Sequence, residues 1–338
     1  MKYTYNKNSS NFFFCNKKAT GKKLLLTITL LLMFSRLVIA QPNNVSYNLN
    51  SAPINGYESC AFGFEALKNE TGIANTATGY RTLYRNIEGK YNTATGHEAL
   101  YSNSTGSRNT ANGANALYSN ITGDRNTANG YNALYSNTEG YYNVANGTNA
   151  LYNNTTGNSN TANGMNALYN NTTGNSNMAN GFEALYSNTT GLGNTANGNE
   201  ALFGNTEGFH NTANGARAIE SNTTGFRNTG NGYLVMGRNT TGSGNSANGY
   251  ATLYSNISGN YNTANGYIAL YSNTTGANNT VSGYAALSTN TSGNNNTAIG
   301  ANALQSNTTG SNNTALGYSA TVASEALTNA TAIGANAI

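Results

Sequence analysis

Apolar and polar residues recur along this chain with a fixed period of 17 residues. Glycine returns at every seventeenth residue from Gly79 to Gly334, and leucine or a close substitute keeps another phase from Leu83 to Leu253. The unit reads N-T-A-N-G-Y-N-A-L-Y-S-N-T-T-G-N-S, and we number its positions 1 to 17, so that Asn109 holds position 1. A short, constant period indicates stacked structural units rather than one globular core.

The pattern within one unit predicts two short strands joined by turns. T-A-N-G and the stretch around N-A-L-Y are the strand candidates, and S-N-T-T-G-N-S is the turn, because glycine adopts positive φ and asparagine bonds its own backbone. Alanine at positions 3 and 8 and leucine at position 9 should face a thin interior, with tyrosine at position 10 facing outward. Such a unit buries little surface alone, so each must stack on the next through parallel pairing.

We therefore predict an all-β chain that forms a parallel β-solenoid, or β-roll, of about 16–17 coils with a 17-residue repeat over residues 58–338. At a strand spacing of about 4.7–4.9 Å, the coils would form a rod on the order of 75 Å long. Residues 41–57 are expected to be an N-terminal linker or cap.

Two rows of asparagine and two rows of glycine keep the period and are expected to form structural ladders. Identical side-chain amides one coil apart can form hydrogen bonds along the stack. If an asparagine shifted to another position of the unit, buried amide groups would lose their partners, at a cost of about 1–3 kcal/mol each. The candidate ladder residues are Asn109, Asn126 and Asn160 at position 1, Asn120, Asn154 and Asn188 at position 12, Gly113, Gly130 and Gly164 at position 5, and Gly123 and Gly157 at position 15.

The start of the chain resembles an export signal. Lys17, Lys18, Lys22 and Lys23 directly precede an apolar run at 24–34, and Val38-Ile39-Ala40 provides a cleavage site before Gln41. We predict a signal peptide at 1–40, a secreted or cell-surface location, and no integral membrane segment in the mature chain, because the run is too short to span a bilayer. Cys15 would be lost with the signal, so no disulfide is expected within the mature chain.

Removal of residues 1–40 reverses the sign of the net charge. These residues hold seven of the 16 Lys and Arg and no acid, which leaves 9 basic against 12 acidic residues, a net of −3. Without a basic surface to neutralise phosphates, a nucleic-acid partner is not expected.

The inventory of reactive side chains argues against an enzyme. His97 and His210 are the sole histidines and occupy different phases, while Glu98, Glu183 and Glu200 share position 7 in separate coils. No catalytic pairing follows from this spacing, so no catalytic residue and no cofactor are expected. Calcium-binding solenoids need carboxylates in every turn, and this chain has one aspartate, so no metal is expected.

The asparagine at position 12 also begins an N-x-S/T sequon in many coils, for example at Asn103 and Asn154. In a eukaryotic secretory pathway these sequons would be glycan acceptors. In a bacterium these asparagines would serve only to form the turn, which is the interpretation we favour.

The closing units resemble a known family. Residues 296–304 (N-T-A-I-G-A-N-A-L), 313–320 (N-T-A-L-G-Y-S-A) and 330–338 (A-T-A-I-G-A-N-A-I) are similar to the Hep/Hag-type head repeats of trimeric autotransporter adhesins (YadA-like). The resemblance extends over residues 58–338 and implies a trimeric, left-handed parallel β-roll that holds binding surfaces away from a bacterial cell. Similar 17-residue runs also resemble the shafts of phage-type tail fibres that end in a self-cleaving chaperone domain.

Three features depart from the adhesin pattern. The 17-residue step is longer than the family's usual head repeat, and the isoleucine of T-A-I-G is asparagine in most copies, as at Asn112 and Asn129. No coiled-coil stalk or membrane barrel follows the repeats in this sequence, and we expect an anchor or chaperone domain to be missing from it.

We predict from these patterns an exported, non-catalytic, adhesin-like rod, a homotrimer that attaches polyvalently to extracellular matrix, a host surface or a polysaccharide. One alternative is an ice-binding face, and another is a tail-fibre shaft. The ice-binding alternative requires positions 2 and 4 to face outward; the opposing interpretation places them inward or at a trimer axis, since Val144 and Met178 interrupt the threonine row. The residues of this surface array are Thr110, Asn112, Thr127, Asn129, Thr161, Asn163, Thr195 and Asn197.

Overall fold

The computed structural model describes residues 59–338 and contains 17 three-residue strands in one sheet. The described part of the chain contains no helix. The strands are β1 Cys60–Phe62, β2 Thr76–Thr78, β3 Thr93–Thr95, β4 Thr110–Asn112, β5 Thr127–Asn129, β6 Val144–Asn146, β7 Thr161–Asn163, β8 Met178–Asn180, β9 Thr195–Asn197, β10 Thr212–Asn214, β11 Thr229–Asn231, β12 Ser246–Asn248, β13 Thr263–Asn265, β14 Thr280–Ser282, β15 Thr297–Ile299, β16 Thr314–Leu316 and β17 Thr331–Ile333.

Each strand from β2 to β16 pairs in parallel with the strands one coil before and one coil after it, and β1 and β17 end the sheet. Equivalent residues are partners, as in Asn112 with Asn129, and the step is 17 residues except between β1 and β2, where Cys60 pairs with Thr76. The predicted all-β parallel solenoid with a 17-residue repeat is therefore confirmed, at about 16 turns. Sixteen steps of about 4.8 Å make the sheet about 77 Å long.

The prediction of a second strand around N-A-L-Y is wrong. Positions 6 to 11 form turns, because positions 7 and 9 adopt left-handed backbone conformations, with φ of 57° at Asn115 and 53° at Leu117. Their N–H groups still bond between coils, from Asn115 back to the carbonyl of His97 (2.8 Å) and from Leu117 forward to the carbonyl of Ala133 (2.9 Å). This alternation satisfies the turn backbone without a second strand.

The core is a narrow column of small side chains and one leucine per coil. Ala111 at position 3, Ala116 at position 8 and Leu117 at position 9 are completely buried, and the same three positions are buried along the array. Small residues are required here because one coil encloses little volume.

Three irregular members of the core, at Gly230, Val235 and Ile219, compensate for one another. Gly230 replaces alanine at position 3, and a Cβ there would lie 2.7 Å from Cγ1 of Val235 and 2.9 Å from Cγ1 of Ile219. Val235 replaces alanine at position 8, and Ile219 replaces leucine at position 9, both completely buried. The added branches occupy the space that the missing methyl group leaves.

Several expectations concern the start of the chain. The predicted signal peptide at 1–40 and linker at 41–57 lie outside the described residues. In the unprocessed chain Cys60 is disulfide-bonded; the expectation of no disulfide concerns the chain after removal of residues 1–40 and stays a prediction. Among residues 59–338, no helix has the length and apolar character needed to cross a membrane.

Candidate functional surface

The two buried asparagine rows meet at one glycine carbonyl in each coil. The Nδ2 groups of Asn109 (2.8 Å) and Asn120 (2.9 Å) both donate to the carbonyl of Gly123. Asn120 also donates to Oδ1 of Asn103 in the preceding coil (2.7 Å), and Oδ1 of Asn109 accepts the backbone N–H of Asn126 (2.8 Å). Each coil is thereby held in phase with its neighbours.

The same bonds recur at the other ladder candidates, and the asparagines are at most 1% exposed along both rows. Throughout residues 59–338, no buried side-chain nitrogen or oxygen lacks a hydrogen-bond partner. The recurring contacts are made at Asn126 and Asn160 in the first row and at Asn154 and Asn188 in the second.

The glycine rows are required by space and by backbone conformation. Gly113 at position 5 has φ of +141°, and a Cβ there would lie 2.4 Å from the carbonyl oxygen of Gly130. At position 15, a Cβ on Gly123 would lie 2.4 Å from Oδ1 of Asn120, so that any side chain would push the ladder apart. Gly130, Gly164 and Gly157 have the same surroundings.

Sequence reasoning missed a cap at the first coil. Ser59 and Glu70 stand at positions 1 and 12 once the 16-residue first step is counted, and Oγ of Ser59 donates to Oε1 of Glu70 (3.0 Å). Oγ of Ser59 accepts the backbone N–H of Asn75 (3.1 Å), and Glu70 accepts the Nδ2 of Asn75. The amide rows end here on acceptors, so the pair terminates both ladders.

Glu70 is only 6% exposed. Burial raises the pKa of its carboxyl group to about 7, against the opposing effect of hydrogen bonds from Asn75, Ser59 and Asn86. The cap therefore titrates near neutral pH.

Positions 2 and 4 face outward on one side of the sheet, with position 3 facing inward between them. In β4, Thr110 is half-buried, Ala111 is buried and Asn112 is exposed. The interpretation that places positions 2 and 4 inside the coil is therefore wrong, because alanine holds that place. The other members of the array, Thr127, Asn129, Thr161, Asn163, Thr195 and Asn197, are half-buried on the same face.

The outward asparagines at position 4 form a third amide ladder. Nδ2 of Asn112 donates to Oδ1 of Asn129 (2.9 Å), and eight further bonds of 2.6–2.7 Å continue the row to Asn265. Because an amide has two N–H groups and two lone pairs on oxygen, each interior member keeps one donor and one lone pair for a ligand. The neighbouring threonine row is less regular, since Val144 and Met178 replace threonine.

Aromatic rings form further rows on the outer surface. Eight half-buried rings at position 10, from Tyr84 to Phe203, stack with centroids 5.1–5.2 Å apart and planes within 9° of parallel. At position 6 a shorter stack runs from Tyr233 to Tyr284. The rows present ring edges and phenol hydroxyl groups at the coil spacing.

The histidine and glutamate side chains considered above for catalysis make packing contacts or hydrogen bonds with neighbouring residues. His97 stacks on Tyr80 at 5.0 Å, and His210 packs edge-on against Phe209 at 5.5 Å. Glu183 accepts the Nδ2 of Asn166 (3.2 Å) as the end of an amide row at position 7. Across residues 59–338, no three His, Cys, Asp or Glu side chains cluster as a metal site would require.

This outer surface can form hydrogen bonds and aromatic contacts at one fixed spacing along the rod. Comparison with known proteins adds no assignment, since no family model matches the chain and no curated protein matches it. The resemblance to adhesin heads therefore stays a prediction.

Proposed function

We propose that this protein is a non-catalytic, exported rod that attaches polyvalently to its partner in the manner of an adhesin head. One observation carries the proposal: the same outward side chains return once per coil, in rows that reach ten members at Asn112–Asn265. Once one weak contact has formed, the others become intramolecular, so repetition raises avidity without any strong single site.

The chemistry of the rows suits a neutral, hydrogen-bonding partner. Only 8% of residues are charged, and the outward rows consist of amides, hydroxyl groups and aromatic rings. Extracellular matrix protein, a host-cell surface and polysaccharide all offer repeated donors, acceptors and apolar patches of this kind. The stiffness of the amide ladders supports the proposal, because rows held at a fixed spacing lose little entropy on binding.

Deletion of residues 110–160 tests this function. It removes three whole coils and joins Asn109 to Thr161 in phase, so the circular dichroism spectrum per residue should be unchanged. Binding to immobilised matrix protein, host cells or polysaccharide should fall at least about tenfold, because avidity depends steeply on the number of contacts. The Thr122→Ala change at an exposed turn is the control. Equal binding by the shortened rod would show a single localised site and contradict the proposal.

The proposed rod is a homotrimer. Position 4 changes from asparagine to apolar residues in the last three coils, where Ile299, Leu316 and Ile333 are 42%, 45% and 67% exposed. A stripe of this kind is covered when chains associate. Sedimentation equilibrium should give three times the chain mass, and a monomer mass would contradict this part of the proposal.

Ice binding is a second candidate, favoured by the outward placement of the threonine and asparagine rows. Thr110/Asn112 and Thr127/Asn129 present hydroxyl and amide groups in two parallel lines at the coil spacing. The test is thermal hysteresis of the purified rod. Absence of both hysteresis and ice-crystal shaping would remove this candidate and leave the attachment proposal standing.

A further inference from the structure

The outward amide row consists of ten copies of a chemically labile dipeptide. Every asparagine at position 4 from Asn112 to Asn265 is followed directly by glycine. Because glycine has no side chain to hinder the reaction, its backbone nitrogen can attack the preceding asparagine side chain. The asparagines at positions 1 and 12 are followed by bulkier residues instead.

The reaction is an intramolecular exchange of one amide for another. The glycine nitrogen forms a bond to Cγ of asparagine, the Cγ–Nδ2 bond breaks, and ammonia departs with the proton of the glycine N–H. Water then opens the five-membered imide at one of its two carbonyl groups, which yields aspartate or isoaspartate. No oxidant, reductant or enzyme is needed.

Stacking holds both reacting groups away from this path. The N–H of Gly113 donates to the carbonyl of Thr95 (2.8 Å), and all ten glycines bond the preceding coil in this way at 2.8–2.9 Å. The leaving nitrogen, Nδ2 of Asn112, donates to Oδ1 of Asn129 in the following coil. The glycine nitrogen can reach Cγ only if the peptide rotates, which breaks the bond to the coil before.

We propose that the ten Asn-Gly steps are latent modification sites, protected while their coil is stacked and converted to aspartate or isoaspartate once it opens. Conversion then prevents reclosure. Isoaspartate adds a backbone atom to a coil that must match its neighbours residue for residue, and aspartate brings a negative charge into a row of linked amides. An opened coil is thereby modified irreversibly. The frequency of coil opening therefore sets how long the outward asparagine row stays intact.

The first test compares the native rod with the rod unfolded in urea, incubated at mildly alkaline pH and mapped by peptide mass spectrometry. In the unfolded chain the ten position-4 asparagines should convert, while those at positions 1 and 12 serve as slow internal controls. In the native rod, conversion at position 4 should be at least tenfold slower. Equal rates in the two states would overturn the proposal.

A local opening gives a sharper test. Asn188→Ala removes one ladder residue and should raise conversion at the flanking Asn180 and Asn197, leaving Asn112 at the wild-type rate. Thr190→Ala, at an exposed turn of the same coil, is the matched control and should behave as wild type. No rise at the flanking sites of the folded variant would overturn the proposal. If the variant does not fold, wild-type protein across a urea series replaces it, with conversion expected to follow the opened fraction; a rate independent of urea would overturn the proposal equally.

Discussion

At the scale of the residue, the buried asparagines explain why the 17-residue period is constant from β2 to β17. Nδ2 of Asn120 donates hydrogen bonds to Oδ1 of Asn103 and to the carbonyl of Gly123. A shift of one coil by one residue would leave these groups unpaired in the interior. An unpaired buried amide costs about 1–3 kcal/mol, and the cost repeats in every coil. Glu70 closes the row at its first coil with an acceptor, although burial of a carboxylate is unfavourable.

The cap predicts a pH-dependent stability. The folded pKa of Glu70 is about 7, above the ordinary 4.5, so the folded state holds more protons between these values and the free energy of unfolding falls as pH rises through this window. Glu70→Gln keeps an acceptor without charge. Its stability advantage over wild type should be about 3 kcal/mol above pH 7 and vanish near pH 4.5.

Thermal melts of both proteins across this pH range measure the difference. Glu139→Gln, at an exposed turn position, should show no such pH dependence. A constant difference between Glu70→Gln and wild type would contradict the assigned role.

Because the asparagines at position 12 are buried, we expect that glycosylation of these residues prevents the rod from folding. The sequon residues Asn154, Asn171 and Asn188 are 0% exposed, and a glycan on any of them would displace the ladder. Expression through a glycosylating secretory pathway should yield misfolded protein. Replacement of the exposed threonine two residues after each such asparagine by alanine should restore the fold, as measured by circular dichroism. A native spectrum with glycans mapped to position 12 would contradict this.

At the scale of the element, each coil has one three-residue strand and a run of turns whose N–H groups bond alternately to the coils on either side. Leucine at position 9 is left-handed throughout, with φ of 53° at Leu117 and Leu134. Non-glycine residues in this region cost on the order of 1 kcal/mol or more. The bonds of Leu117 and Asn115 to neighbouring coils offset that cost, so this conformation exists only in the stack.

The mutual packing of Gly230, Val235 and Ile219 predicts that substitutions at Gly230 and Val235 have coupled effects on stability. Gly230→Ala should lower the melting temperature, because the added methyl group overlaps Val235 and Ile219 and overpacking costs about 1–3 kcal/mol. In a Val235→Ala background, the same substitution should have little effect. Melting curves of the two single variants and the double variant measure the coupling, and additive losses would contradict the packing described.

Individual residues show how far the sequence could predict this structure. The period, the parallel stack and the inward Ala111 and Leu117 follow from spacing and residue size alone. The turn at positions 6–11 could not be predicted, because leucine intrinsically disfavours the left-handed region and adopts it here only for bonds to other coils. The cap could have been found: Glu70 is in phase with position 12 once the short first step is allowed.

At the scale of the whole molecule, the strands of residues 59–338 contact their nearest neighbours in the stack and no strand further away, so the repeat array is a one-dimensional rod. Its stability and its proposed avidity both grow with the number of coils, and its outer rows are straight because each coil repeats the last. In this rod, each 17 residues therefore advance the chain by one strand spacing, about 4.8 Å.

Pulsed electron paramagnetic resonance measures this advance per coil. Spin labels on cysteines at the exposed Thr122, Thr224 and Thr309 would be placed in pairs, with the native cysteines replaced by serine. Thr122 and Thr224 are six coils apart, and Thr122 and Thr309 are eleven. We expect narrow distance distributions near about 29 Å and about 53 Å, proportional to the coil count. Broad distributions, or distances that do not grow linearly with the number of coils, would contradict the stacked solenoid.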